Sequence, residues 1–217
     1  MQQSHDRNAG ISLLLFTVLM VFTMVLHPVG GDFEYLLKMK RIIIITHVIA
    51  LLSLPFAYIG FWGLTKRVGS DNFFSIVSFA FILFGLVAVM MAATANGLVL
   101  PIFIQRYSEA SAETISSLKP LLRYNFSVNN AFDYIYTGAF CLSMLFGSIA
   151  ILQTKKMPVW LAYLGIIFSA IAALLAIFGS PHNLQVFRMF VLSIVVWIFL
   201  AGVALIKVNS HRLNVQQ

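Results

Sequence analysis

Apolar residues fall into six blocks, at 11–27, 42–64, 73–95, 130–153, 159–179 and 185–206, and the stretches between them hold most of the charge. Each block has the length of about 17 to 25 residues that an α-helix needs to cross the hydrocarbon of a bilayer. The blocks are apolar throughout instead of alternating, so helices satisfy the backbone in lipid and a membrane barrel does not fit. The pattern predicts an all-α polytopic membrane protein: a single domain over 1–217, folded as a bundle of six transmembrane helices. The first block follows Arg7 as a secretion signal would, yet it runs into Leu26, His27, Pro28 and paired glycines with no small-x-small cleavage pattern. It reads as a retained first helix.

The polar positions inside this pattern carry the functional information. Asn125, Asn129, Asp133 and Thr137 recur every four residues as the chain enters the fourth block, drawing a polar stripe down one helix face. Asp133 is the carboxylate this reading places within a span, where an ionisable group is costly enough to mark a functional site. With the spans drawn as above, His27, His47, Asn96, Asp133 and Arg188 fall in one third of the bilayer, with Asn129, Asn130 and His182 beside them. These eight residues are the candidate ligand-binding cluster. A structural reading makes Asp133 and Arg188 an internal ion pair, with Asn129 and Asn130 hydrogen-bonding between helices. A functional reading makes the cluster the floor of a cavity in which Arg188 anchors an anion or Asp133 handles a proton or cation.

The longest connection runs from Asn96 to Asn129. Asn96, Gly97 and Pro101 are expected to end or kink the third helix, and Ser108 to Leu118 to form a short helix capped by Ser108 or Ser111 and limited by Pro120. That segment is expected as a connector at headgroup level. Pro55 is expected to bend the second helix. Gly60, Gly85, Gly138, Gly147 and Gly165 suit close helix packing, as do serines within the spans.

Composition confirms the class: 60% of residues are hydrophobic and 10% charged, against about 25% charged in an ordinary soluble domain. The net charge of +7 implies no nucleic-acid partner, because the bases lie at helix ends where they meet lipid headgroups. Lysine and arginine divide evenly between the two ends of the bundle. One end has compact basic hairpins, Thr65, Lys66, Arg67 and Thr154, Lys155, Lys156, while the other mixes base with Asp32, Glu34, Glu109 and Glu113. Compact basic hairpins are the cytoplasmic signal, which puts both termini in the cytoplasm. Trp62 and Trp160 mark one interface, and Tyr35, Tyr107, Tyr124, Tyr134 and Tyr136 gather at the other. The similarity of the two hairpins is explained by the same topology rule and does not establish a duplication.

Catalytic patterns are missing. No His-Glu-x-x-His, Gly-x-Ser-x-Gly, phosphate-binding loop or dinucleotide fingerprint occurs, so no catalytic residue is assigned and no cofactor is identified. Cys141 is the single cysteine, which excludes an intrachain disulfide and a multi-cysteine metal site. His27, His47, His182 and Asp133 have the ligand types of a catalytic zinc centre, but none are spaced i, i+3 or i, i+4, and no spacing favours a bis-histidine haem. No metal residues are assigned.

A basic hairpin followed by Pro158, Trp160, Leu161, Leu164 and Gly165 resembles the corresponding turn of uncharacterised six-helix bacterial inner-membrane proteins grouped as a domain of unknown function. The resemblance covers the fourth and fifth spans. It implies cytoplasmic termini and a bacterial inner membrane, and no activity. The sequence is thus read as an integral inner-membrane protein with a small polar cavity open to the outer side, acting in binding, sensing or as an accessory protein. The alternative is a proton- or ion-coupled transporter using Asp133 and Arg188, and a membrane-embedded metalloenzyme is the third reading. Lipid is the expected partner, with a small-molecule or ionic ligand. The small-residue face Gly165, Ser169, Ala173 permits self-association without requiring it.

Overall fold

A computed structural model describes residues 2–28, 30–178 and 184–215, with side chains described over 4–28, 30–174 and 191–207. The elements are α1 (Gln2–Leu26), α2 (Phe33–Val68), α3 (Phe73–Thr94), a π-helical turn (Ala95–Val99), α4 (Leu100–Arg106), α5 (Ala112–Ser117), α6 (Lys119–Thr154), α7 (Val159–Phe178) and α8 (Leu184–Val215). No strand occurs among the described residues, so the chain is all-helical. Four stretches, Ser4–Leu26, Phe33–Val68, Phe73–Arg106 and Ala112–Thr154, are long and apolar enough to cross a membrane. The described parts of the last two helices form shorter apolar segments, Val159–Leu174 and Val191–Lys207.

Local chemistry sets the helix limits. The Asp32 carboxylate accepts from the Tyr35 N–H at 2.9 Å and starts α2, and the Asn72 side chain accepts from Ser75 at 3.1 Å and starts α3. Gly69, at φ 143°, ends α2, with its N–H donating to the Thr65 carbonyl at 2.9 Å. Lys155 adopts a left-handed φ of 53° and donates to Ile151 at 2.8 Å, which ends α6. Both basic hairpins are therefore tight turns, and Asn72 links them by donating to Gln153 at 3.0 Å.

The six long helices close a ring. Each packs on its chain neighbour, α1 on α2, α2 on α3, α3 on α6, α6 on α7 and α7 on α8, and α8 returns to α1. The ring encloses a core that includes Leu13, Phe61, Ile82, Phe140, Met144, Ile151, Leu161, Trp197 and Ile198. Small residues allow the closest approaches: a Cβ at Gly10 would meet the Gly202 carbonyl at 2.7 Å, and one at Gly63 would meet the Ala9 methyl at 2.1 Å. Polar groups inside find partners across helices, as where Trp197 Nε1 donates to the Leu161 carbonyl at 3.0 Å and Ser78 donates to that of Ser143 at 2.8 Å. Outside, Phe22, Leu52, Phe84, Ile167 and Leu192 are exposed, an apolar exterior that suits lipid and not water.

The longest helices exceed a bilayer. With 36 residues each, α2 and α6 are about 50 Å long, some 20 Å more than the hydrocarbon core. The excess lies at the end opposite the basic hairpins, where Phe33, Leu36, Ile43, Leu100, Ile104 and Leu122 form a second core of their own. The segment between Asn96 and Asn129, expected as a connector, is built into that end of the bundle. The third helix does not end at Asn96 but passes through the π turn into α4, with Pro101 just after the π turn. Ser111, not Ser108, caps α5 through the Thr114 N–H at 3.3 Å, and Pro120 lies in the first turn of α6. The segment is helical almost throughout because its apolar residues have that second core to bury against.

A candidate polar site at the π turn

The site is built where α1, α2, the π turn and α6 meet. A π turn inserts one residue into a helix, and such turns are frequent at functional sites. Here it carries Asn96 and Gly97. A Cβ at Gly97 would stand 2.0 Å from His47 Cβ, so glycine is what lets the π turn close on the His47 ring. His47 is buried and its Nδ1 donates to the Ile43 carbonyl at 2.7 Å. His27, exposed at the end of α1, donates from Nδ1 to the Pro28 carbonyl at 3.0 Å. The two ring centroids are 5.0 Å apart at 58°. Thr46 reaches the Leu26 carbonyl at 3.5 Å and ties the same pair of helices.

On the other side of the turn, the Asn96 side-chain oxygen accepts from Asn125 Nδ2 at 2.6 Å. The stripe begins there. Asn125, Asn129, Asp133 and Thr137 are all half-buried, whereas Ser127, Asn130, Ala131, Tyr134 and Ile135 between them are exposed. Asn129 donates to the Asp133 carboxylate at 3.0 Å. Asn125 thus donates across to the π turn, and Asn129 donates along its own helix. The spacing of four residues needs no help from tertiary structure, since positions i and i+4 are neighbours on any helix.

Depth along the bundle differs from the sequence-based placement. His27, His47, Asn96 and Asn125 share one level. Asp133 lies two turns beyond Asn125 on α6, about 12 Å deeper, and the register fixed by the Asn96–Asn125 and Ser78–Ser143 contacts places it level with Ala88 on α3. Asn130 is exposed beside the stripe and does not join it. His182 and the Arg188 side chain lie outside the described residues, and the expected Asp133–Arg188 pair lies outside them too. Among the described residues, no three His, Cys, Asp or Glu side chains group to hold a metal ion.

Sequence reasoning missed two features. Asp6 and Arg67 form an ion pair at 3.3 Å with side-chain exposures of 7% and 11%, at the hairpin end, where α1 and α2 run side by side. The available signal was opposite charge at matching heights of two consecutive helices. A second feature is a largely apolar cleft between α2, α3, α6 and α8 at that same end, lined by Phe61, Thr65, Ser75, Phe79 and Trp197 among others. None of the six described candidate residues lines it. No known protein family, curated protein or solved structure matches the chain.

Proposed function

We propose that this chain is a multi-pass protein of a bacterial inner membrane, with six spans and both termini in the cytoplasm, that binds a small polar or ionic ligand in a cavity open to the outer side. Its role is then that of a binding, sensing or accessory protein. The basic hairpins support the orientation, since Lys66, Arg67, Lys155 and Lys156 crowd the two tight turns. The same hairpin, followed by Pro158 and Trp160, carries the resemblance to six-helix inner-membrane proteins. Lipid is the surrounding partner, and the bases at helix ends suit its headgroups.

The observation that carries the reading is the polar stripe of α6 with its two hydrogen bonds, Asn125 donating to Asn96 on the π turn and Asn129 donating to Asp133, next to His27 and His47. Carboxamides offer both donors and acceptors, and a carboxylate adds charge, which together suit a small polar solute or a cation. A second reading, ion- or proton-coupled transport by Asp133 with Arg188, draws on the depth of Asp133: its carboxylate lies about two turns below Asn125 along the stripe, where a relay would need it.

Thermal shift of the purified protein in detergent tests the binding reading, with alkali and ammonium chlorides, amino acids and short carboxylic acids as probes. At least one probe is expected to raise Tm in the wild type and to lose that effect in Asn96→Ala and Asp133→Asn. Equal shifts in wild type and both variants would contradict the site. For transport, Asp133→Asn should abolish cation or proton flux in proteoliposomes while the protein remains folded, and unchanged flux would remove the carboxylate from the mechanism.

A further inference from the structure

We infer that the Asp133 carboxylate, the Asn129 amide oxygen and the Thr137 hydroxyl bind a sodium ion, which enters along the Asn stripe from the end of the bundle opposite the basic hairpins. The inference rests on the polar site proposed above and names its ligand.

Three observations converge on it. First, the amide nitrogen of Asn129 is 3.0 Å from Oδ2 of Asp133. A carboxamide carries a donor and an acceptor side by side, and half a turn about its Cβ–Cγ bond exchanges them. The turned amide puts its oxygen where the nitrogen stands, 3.0 Å from the carboxylate. Two oxygens at that separation meet one ion at about 2.4 Å, the distance a cation of calcium's radius takes from oxygen, with an angle of about 77° between them. Sodium has nearly that radius, and the larger potassium would crowd the two oxygens. Second, Thr137 stands one turn deeper on the same helix face, and its Oγ1 is buried with no hydrogen-bond partner among the described residues. A hydroxyl so placed is costly, and its lone pairs suit a cation. Third, the stripe is half-buried from Asn125 to Thr137, and Asn125 bonds to Asn96 at its outer end, which gives an arriving ion carboxamide oxygens to exchange for its water.

Ligand chemistry sets the class of ion. All three groups offer oxygen, which suits hard cations and not zinc or copper. One carboxylate carries one negative charge, so a monovalent ion leaves the site neutral, whereas magnesium or calcium would bring an uncompensated charge into the span. Water completes the coordination from the outer end. The Asn129–Asp133 hydrogen bond is the alternative to the ion, and turning the amide exchanges one for the other.

The experiment uses the full chain in an uncharged detergent and choline buffer, with Tm followed as sodium, potassium or further choline chloride is added at matched ionic strength. Sodium is expected to raise Tm by a few degrees and to saturate, as binding to the folded state requires, with potassium needing at least tenfold more and choline without effect. Asp133→Asn should abolish the sodium shift, and Asn129→Ala and Thr137→Val should each raise its midpoint at least tenfold. Ser127→Ala, on the exposed face of the same helix, should leave it unchanged. Should Asp133→Asn fail to fold, the wild type decides: the sodium-23 resonance is expected to broaden with protein and to sharpen again with excess lithium but not with choline. A wild type that neither shifts nor broadens with sodium, or a sodium shift that persists in Asp133→Asn, would overturn the inference. The polar-site reading fails separately. If an amino acid or carboxylic acid gives a shift that depends on Asn96 and Asp133 while sodium gives none, that reading stands and the sodium site falls.

Discussion

Gly97 and Gly138 have opposite surroundings. Gly97 is pressed against His47, and a Cβ there would lie 2.0 Å from that residue, while a Cβ at Gly138 meets nothing within 4 Å among the described residues. Gly97→Ala therefore overpacks the junction, and it is expected to lower stability by about 1–3 kcal/mol. Gly138→Ala removes a flexible residue from a helix interior and is expected to raise stability by about 0.5–1 kcal/mol. Thermal unfolding of the two variants beside wild type checks both signs, and equal losses would refute the contrast. Sequence had grouped Gly138 with the packing glycines Gly60, Gly85, Gly147 and Gly165, because composition shows that a residue is small and not what it faces. Legibility at this scale thus follows range. The i, i+4 stripe from Asn125 to Thr137 was readable because it is local, and the contacts of Asn96 with Asn125 and of Gly97 with His47 were not, since they join distant segments.

At the scale of elements, the hairpin end shows how α1 is fixed to α2. The Asp6–Arg67 pair at 3.3 Å is almost fully buried, and the Arg67 Nε atom is buried with no hydrogen-bond partner among the described residues. Removing one partner of such a pair strands the other's charge. Asp6→Ala is accordingly expected to lower stability by about 3 kcal/mol, and the Asp6→Ala, Arg67→Met double variant to regain most of it. Additive losses in the double variant, read from the same unfolding curves, would show that the pair is not coupled. The pattern of apolar blocks located every long helix, but it set their ends short. Phe33 to Arg41 and Lys119 to Asn129 are mixed polar and apolar, which marks the end of a lipid-facing block and equally fits a helix that continues beyond it. The second core settles the question physically: Phe33, Leu36, Leu100, Ile104 and Leu122 are buried against one another, and that burial extends the helices past the block.

For the whole molecule, six helices in a closed ring leave the polar residues few places to go. Those at the hairpin end are taken up by turns, by the Asn72–Gln153 hydrogen bond and by the Asp6–Arg67 pair. At the opposite end the His pair, the π turn and the Asn stripe converge between α1, α2 and α6, beneath helices that run about 20 Å beyond a bilayer core. Cys141 as the single cysteine makes the orientation of that arrangement directly measurable. In a Cys141→Ser background, Asn125→Cys, Asn129→Cys and, at the hairpin end, Thr154→Cys are each exposed in intact cells to a membrane-impermeant maleimide. The account predicts labelling at Asn125→Cys and Asn129→Cys without opening the cells, and at Thr154→Cys only after the membrane is broken. Labelling of Thr154→Cys in intact cells, with the two stripe positions reached only after lysis, would contradict an outward-open polar site.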